Sequence, residues 1–125
     1  MPSTRSQITF LALGRLAIGA ALVAVPRSQV GTGWVGEDAQ RTPASVLIRA
    51  VGARDIALAA GMLGAQRTGS PLKPWLVGAA FADATDLVST LAAGKAVPAQ
   101  GRAAIAVLAG IGFVQQLVLA RRLES

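Results

Sequence analysis

Four stretches of the chain are apolar over almost their whole length, and polar residues gather between them. Each stretch has about 18 to 20 residues, which as an α-helix rising 1.5 Å per residue would cross a hydrocarbon layer of about 30 Å. They lack the charged face that a helix on the surface of a soluble bundle repeats every third or fourth residue. The pattern therefore predicts membrane-spanning helices at 8–25, 44–63, 75–93 and 103–120.

The segments between these stretches are rich in residues that interrupt helices. Pro26 follows the first stretch and Pro43 precedes the second, while the connections at 64–74 and 94–102 each contain proline and glycine. Short connections place consecutive helices antiparallel to one another. We therefore expect a single all-α domain over residues 1–125, an up-and-down bundle of four transmembrane helices.

The basic residues predict an orientation. The side that contains both chain ends would carry five of them, and the opposite side would carry four. The five are Arg5, Arg67, Lys73, Arg121 and Arg122, and the four are Arg27, Arg41, Lys95 and Arg102. Because Lys and Arg concentrate in cytoplasmic loops, we expect cytoplasmic termini in a multi-pass protein of the inner (plasma) membrane.

Composition narrows the chemistry. Only 14% of the residues are charged and 53% are hydrophobic, whereas a soluble domain has about 25% charged residues. The chain has no His, Cys or Tyr, which excludes Cys/His metal sites, disulfides and Ser-His-Asp triads. We expect no metal and no cofactor. The net charge of +6 is scattered without a basic helix face or an aromatic platform, so nucleic acid is not an expected partner.

Six charged residues interrupt the apolar stretches, and they are the most informative positions of the sequence. They are Arg15, Arg49, Arg54, Asp55, Asp83 and Asp86. Each would cost about 2.5 to 3.5 kcal/mol at the centre of a bilayer, so they must be paired, neutralised or hydrated. In an up-and-down bundle residue 15 lies level with residue 54, and residue 54 with residue 84. All but Arg49, which should reach towards the interface, therefore fall near the midplane, and the six together are formally balanced.

Two interpretations of these charges stay open. They form a buried ion-pair network that fixes helix register, or they form a ligand, proton or catalytic site. In the second interpretation Asp83 and Asp86, three residues apart on one helix face, act as acid and base. The candidate catalytic residues are Asp83, Asp86, Arg54 and Asp55.

Other polar residues are candidates for contacting a substrate. Gln115 and Gln116 lie in the last stretch, and at least one of them should face the bundle interior. The connection at 26–43 is long for a helical bundle, and we expect it to lie over the bundle as a lid, with Trp34 as its interfacial anchor. The candidate substrate-binding residues are Arg15, Arg49, Gln115 and Trp34.

Two segments carry a resemblance to a protein family. GARDIALAAGML at 52–63 and FADATDLVSTL at 81–91 resemble a domain of unknown function in small bacterial four-helix membrane proteins, distantly similar to the DoxX group. The shared pattern is Gly-Ala-Arg-Asp in the second span and Asp-x-x-Asp in the third. The resemblance implies a four-helix membrane fold over the whole chain, with Arg54, Asp55, Asp83 and Asp86 at its signature positions.

Three functional classes fit these observations, and the lipid bilayer is a partner in all of them. The first is a protein that binds a lipophilic small molecule or acts on it by metal-free acid/base chemistry, as a hydrolase, cyclase or isomerase, for example by epoxide opening. The second is an accessory or structural subunit of a membrane complex. The third is a proton-coupled transporter, which with four spans would need a homo-oligomer. A pocket within one protomer would favour the first class, and fully paired charges without a cavity would favour the second.

Overall fold

The computed structural model describes residues 2–124, with the side chain at position 29 left aside, and this part of the chain is helical with short connections. Two 3-10 turns, Gly36–Gln40 and Gly94–Ala96, accompany five α-helices. The helices are α1 (Thr4–Ala24), α2 (Gln29–Val35), α3 (Thr42–Thr68), α4 (Lys73–Ala93) and α5 (Ala99–Arg122). The prediction of an all-α chain is confirmed.

The helix ends follow local sequence signals. The Ser3 side chain accepts a hydrogen bond from the Ser6 backbone N–H at 3.1 Å and caps α1. Pro43 and Pro74 lie in the first turns of α3 and α4, where a missing N–H costs no hydrogen bond. Helix α3 ends at Gly69, whose φ of 71° is left-handed. Each of the long helices begins two to four residues before the apolar stretch that predicted it.

Three of the long helices have the length and composition of membrane spans: Thr4–Ala24, Lys73–Ala96 and Ala99–Arg122. They cover three of the four predicted stretches, except for Val25 at the end of the first. Helix α3 covers the remaining stretch, 44–63, and is the longest at 27 residues, but it is not among these three, and Arg49, Arg54 and Asp55 interrupt its apolar sequence. The four-span count therefore remains a prediction, while three helices suited to crossing a membrane are established.

The long helices pack as two antiparallel pairs, α1 with α3 and α4 with α5. At one end of the first pair, Gln66 donates a hydrogen bond to the Arg5 backbone carbonyl at 3.0 Å, which joins the start of α1 to the end of α3. Lys73 forms an ion pair with Glu124, which joins the start of α4 to the end of α5. These contacts agree with the up-and-down order.

Two apolar clusters occupy opposite ends of the bundle. The larger cluster, near the chain ends, includes Ile8, Met62, Leu76 and Leu119. The smaller cluster lies where α1 ends and α3 begins and consists of Leu22, Ala39 and Ile48. On α1 and α3, the charged residues fall between the positions that supply the two clusters, so the bundle has a polar layer between two apolar ends.

The connection at 26–43 is not the loop that its prolines and glycines suggested. It forms α2 and the 3-10 turn Gly36–Gln40, and it packs against the first turns of α5. A Cβ on Gly101 would overlap the Trp34 carbonyl, so the absence of a side chain there permits this contact. The segment lies over one end of the bundle, and Trp34 within it is half-buried.

Candidate binding site between the two helix pairs

Five charged side chains near the middle of the bundle form one connected network, which we call the charged cluster. Its members are Arg15, Arg54, Asp55, Asp83 and Asp86. Arg15 donates from Nη1 to Asp55 Oδ1 at 2.8 Å and from Nη2 to Asp83 Oδ2 at 2.7 Å. Arg54 donates to both oxygens of Asp86, at 2.9 and 2.7 Å, and to Asp55 Oδ1 at 3.1 Å. The charges alternate along the chain of contacts, from Asp86 through Arg54, Asp55 and Arg15 to Asp83.

The charged cluster joins the two helix pairs. Arg15 on α1 binds Asp55 within its own pair and Asp83 on α4 across the gap. Arg54 on α3 binds Asp86 on α4 across the same gap. Adjacent residues of a helix point about 100° apart, which is why Asp55 faces α1 while its neighbour Arg54 faces α4. The sequence predicted that Arg15 lies level with residues 54 and 84. The structure agrees, since Arg15 contacts Asp55 and Asp83.

Gln116 on α5 completes the polar layer. Its amide oxygen accepts a hydrogen bond from Arg15 Nη2 at 3.0 Å, and its nitrogen donates to Asp83 Oδ2 at 2.6 Å. It is 1% exposed. Gly112, one turn earlier, leaves space for Asp83, because a Cβ there would lie 2.5 Å from Asp83 Oδ2. Of the two candidate glutamines, Gln116 is therefore the inward-facing one.

Arg49 does not join the charged cluster. Its side chain is exposed, and its Nε donates to the Val23 backbone carbonyl at 3.1 Å. The formal balance of six charges therefore does not describe the site: two arginines face three carboxylates, for a net charge of −1. Asp83 and Asp86 each bind a different arginine, and their roles as acid and base stay a prediction.

A cavity of about 520 Å³ lies beside the charged cluster, between the facing sides of α1 and α5. Its apolar lining includes Phe10, Ile18, Leu22, Ile105, Leu108 and Ile111. Four members of the charged cluster line it as well: Arg15, Asp55, Asp83 and Asp86. We call this cavity the groove. A second cavity of about 330 Å³ shares Phe10, Leu11 and Gln115 with it and continues it towards the start of α1.

Helix α2 contributes to one end of the groove. Val30, Gly33 and Trp34 line it there. The Trp34 indole N–H donates to Thr90 Oγ1 at 3.1 Å, and Thr90 is buried on α4 one turn after Asp86. Trp34 thus connects α2 to α4, and its role as an interfacial anchor stays a prediction. Gln115, the last of the four predicted substrate-binding residues, lines the groove with its side chain exposed.

The groove offers hydrogen-bond acceptors at its polar end. In the described part of the chain, Asp83 Oδ1 and Asp55 Oδ2 receive no hydrogen bond, while the second oxygen of each carboxylate is bound to Arg15. Both residues are 7% exposed. Carboxylate oxygens accept and never donate when ionised. A molecule in the groove would therefore meet free acceptor atoms at the charged cluster.

Comparison with known proteins adds no family to this geometry, since no family model, curated protein or solved structure matches the chain. The similarity to the DoxX group stays a prediction that rests on two short motifs. The structure does bring together the four residues that those motifs contain, Arg54, Asp55, Asp83 and Asp86.

Proposed function

We propose that the protein is a four-span membrane protein that binds a lipophilic small molecule in the groove, with the polar end of the molecule at the charged cluster. The observation that carries this proposal is the combination of a largely apolar cavity of about 520 Å³ with buried charges at one part of its lining. Ligand sites typically combine an apolar lining with a few convergent polar groups.

The outer surface of the bundle supports placement in a bilayer. Large apolar side chains are exposed on all four long helices, among them Phe10, Leu47, Phe81, Val88, Leu108 and Val114. Exposed apolar surface of this extent is typical of proteins whose surroundings are lipid or a partner. The protein would satisfy its backbone polar groups in lipid, because its long elements are helices.

Helix α3 is suited to be the fourth span despite its charges. Arg54 and Asp55 are bound within the charged cluster. Arg49 lies about one and a half turns nearer the start of the helix. The outward side of its middle turns presents alanines, at positions 50, 53, 57 and 60. A helix whose charges are paired inside a bundle and whose outer side is apolar can cross the membrane as part of that bundle.

The cavity distinguishes this proposal from a purely structural role. A structural subunit requires paired charges, and the charged cluster provides them, but it does not require space beside them. Acid/base turnover of the bound molecule is a further step, for which Asp83 and Asp55 would each offer an oxygen that receives no hydrogen bond from the described residues. Binding is therefore the property to test before catalysis.

Filling the groove tests the proposal. A Cβ on Gly14 would meet no atom within 4 Å, and Gly14 lines the groove, so Gly14→Phe should occupy the space without disturbing the helices. Gly110→Phe is the matched control, since Gly110 is equally open but does not line the groove. Native mass spectrometry of protein extracted from its own membrane should show a bound small molecule in wild type and in Gly110→Phe, and its loss in Gly14→Phe.

Two results would contradict the proposal. A wild-type spectrum without any bound molecule would move support to the accessory-subunit alternative. A molecule that stays bound to Gly14→Phe at the wild-type level would place the binding site elsewhere on the protein.

A further inference from the structure

We infer that the molecule in the groove carries a positively charged head group, an ammonium, on an apolar body. This inference rests on the proposed function and specifies the class of its ligand.

The charge of the site favours a cation. Each carboxylate of the charged cluster contacts an arginine, but three carboxylates share two arginines, which leaves a formal charge of −1 in the polar layer. An uncompensated charge buried in an apolar region is costly. The lining of the groove is more negative still, because Arg54 is not part of it and Arg15 faces it together with Asp55, Asp83 and Asp86. A cation bound there would supply the missing positive charge.

The donors and acceptors of the groove also favour a cation. Arg15 uses three of its five N–H groups on Asp55, Asp83 and Gln116. An anionic head group would find only the remaining N–H groups of this one arginine, beside three carboxylates that repel it. An ammonium can instead donate to Asp83 Oδ1 and Asp55 Oδ2, which receive no hydrogen bond from the described residues. Hydrogen bonds between ionised partners are about twice as strong as neutral ones.

Trp34 favours a cation as well. This residue lines the groove, and its indole N–H is fixed by Thr90 one turn from Asp86. The face of an indole ring attracts cations, most strongly where water is excluded. The groove thus combines carboxylates and an aromatic ring, and both features favour a cation over an anion or a neutral group.

The apolar body of the ligand has a place in the same groove. Phe10 and Leu108 line it from α1 and α5 while 80% and 59% of their respective surfaces stay exposed. These helices face each other with few direct contacts, so the groove is accessible from the side of the bundle that would face lipid. An amphiphile dissolved in the bilayer could therefore enter laterally, with its head group already near membrane depth.

A quenching experiment tests the head group. The chain contains two tryptophans, so Trp75→Phe leaves Trp34 as the only reporter. The protein is placed in nanodiscs of zwitterionic lipid and titrated with three amphiphiles that share one brominated alkyl chain and end in an ammonium, a hydroxyl or a phosphate. The ammonium should half-quench Trp34 at a concentration about tenfold below those of the other two, a difference that corresponds to about 1.4 kcal/mol. Trp34→Phe, which keeps Trp75, measures quenching by general partition into the lipid.

Charge variants localise the effect. Asp83→Asn should abolish most of the preference for the ammonium, whereas Asp38→Asn should not, because Asp38 pairs with Arg41 on the surface outside the groove. Gln115 lines the groove outside the charged cluster. Gln115→Glu should strengthen ammonium binding and Gln115→Lys should weaken it, and this pair decides the question even where Asp83→Asn fails to fold.

The outcomes separate this inference from the proposed function. Equal quenching by the three amphiphiles above the partition background, or a preference for the phosphate, would overturn the inference and leave the binding site in place. Quenching of Trp34 that never exceeds the background would contradict the proposed function itself.

Discussion

Helix α1 meets its two neighbours in opposite ways. Against α3 it is in close contact, since a Cβ on Gly19 would lie 2.7 Å from the Gly52 carbonyl oxygen and a Cβ on Gly52 would lie 2.6 Å from the Gly19 carbonyl oxygen. We call this contact the glycine crossing. Against α5 the same helix leaves the groove, and a Cβ on Gly14 would touch nothing. Two glycines five residues apart on one helix thus have different consequences, one closing an interface and the other widening a cavity.

Two kinds of contact set the distances between helices in this bundle. In lipid, helices associate through close packing and hydrogen bonds because the surrounding chains are as apolar as the helices. The glycine crossing supplies backbone contact between α1 and α3. Between α1 and α5 the link beside the groove is polar instead, a hydrogen bond from Arg15 to Gln116 at 3.0 Å between two long side chains. The groove is the space that this polar spacing leaves.

Removing Arg15 should have the largest effect, because this residue serves both sides of α1. Arg15→Met keeps most of the side-chain volume but leaves Asp55 and Asp83 without their shared cation. Breaking a buried pair by removing one partner costs about 3 to 5 kcal/mol. We expect a loss of this size in the free energy of unfolding, measured by denaturant titration in detergent.

Two further variants sharpen that result. Arg49→Met removes an arginine from the same bundle outside the charged cluster and should change stability little. Adding Asp55→Asn and Asp83→Asn to Arg15→Met should recover part of the loss, because it removes the unpaired charges. A triple variant less stable than Arg15→Met would show that the lost stability does not come from the unpaired carboxylates.

Gly52→Leu should have the next largest effect and act on the closed side alone. Its side chain would meet the Gly19 carbonyl oxygen and Leu22 Cβ, at 2.6 and 2.9 Å from the new Cβ. Overpacking of this kind costs about 1 to 3 kcal/mol. Thermal unfolding in detergent should therefore show a clear decrease in Tm. Gly14→Leu is the control, and it should leave Tm unchanged or raise it, because glycine in a helix interior is about 0.5 to 1 kcal/mol less favourable than alanine.

The contrast between the two sides of α1 also marks the limit of sequence analysis. The levels of Arg15, Arg54 and Asp83 could be predicted, because the helical rise and the lengths of the apolar stretches fix depth in an up-and-down bundle. Which helices pair closely could not, because the glycine crossing depends on two residues 33 positions apart approaching in space. For the same reason, the space that Gly112 leaves for Asp83 has no signal in either local sequence.

Helix α2 shows a second limit. Gly31 and Gly33 within it lower helix propensity, and the segment has no hydrophobic periodicity that would offset them. Its helical form is associated with packing over the end of the bundle, where the Trp34 carbonyl lies against Gly101 of α5. Tertiary contacts of this kind override local preference, and a single sequence does not contain them in readable form.

The smallest expected effect concerns the end of the groove that α2 lines. Trp34→Phe removes the hydrogen bond to Thr90 and should cost about 1 kcal/mol, as should Thr90→Val, which removes the other partner. Because both changes remove the same interaction, the double variant should lose about as much stability as either single variant.

The same two variants test whether α2 restricts access to the groove. The chain has no cysteine, so Ala104→Cys in the lining of the groove provides a single reactive thiol. If α2 restricts access at this end, adding Trp34→Phe or Thr90→Val to Ala104→Cys should raise the rate at which a maleimide labels this thiol several-fold. An unchanged rate would contradict a restriction by α2. The opening between α1 and α5 would then be the route by which molecules reach the groove.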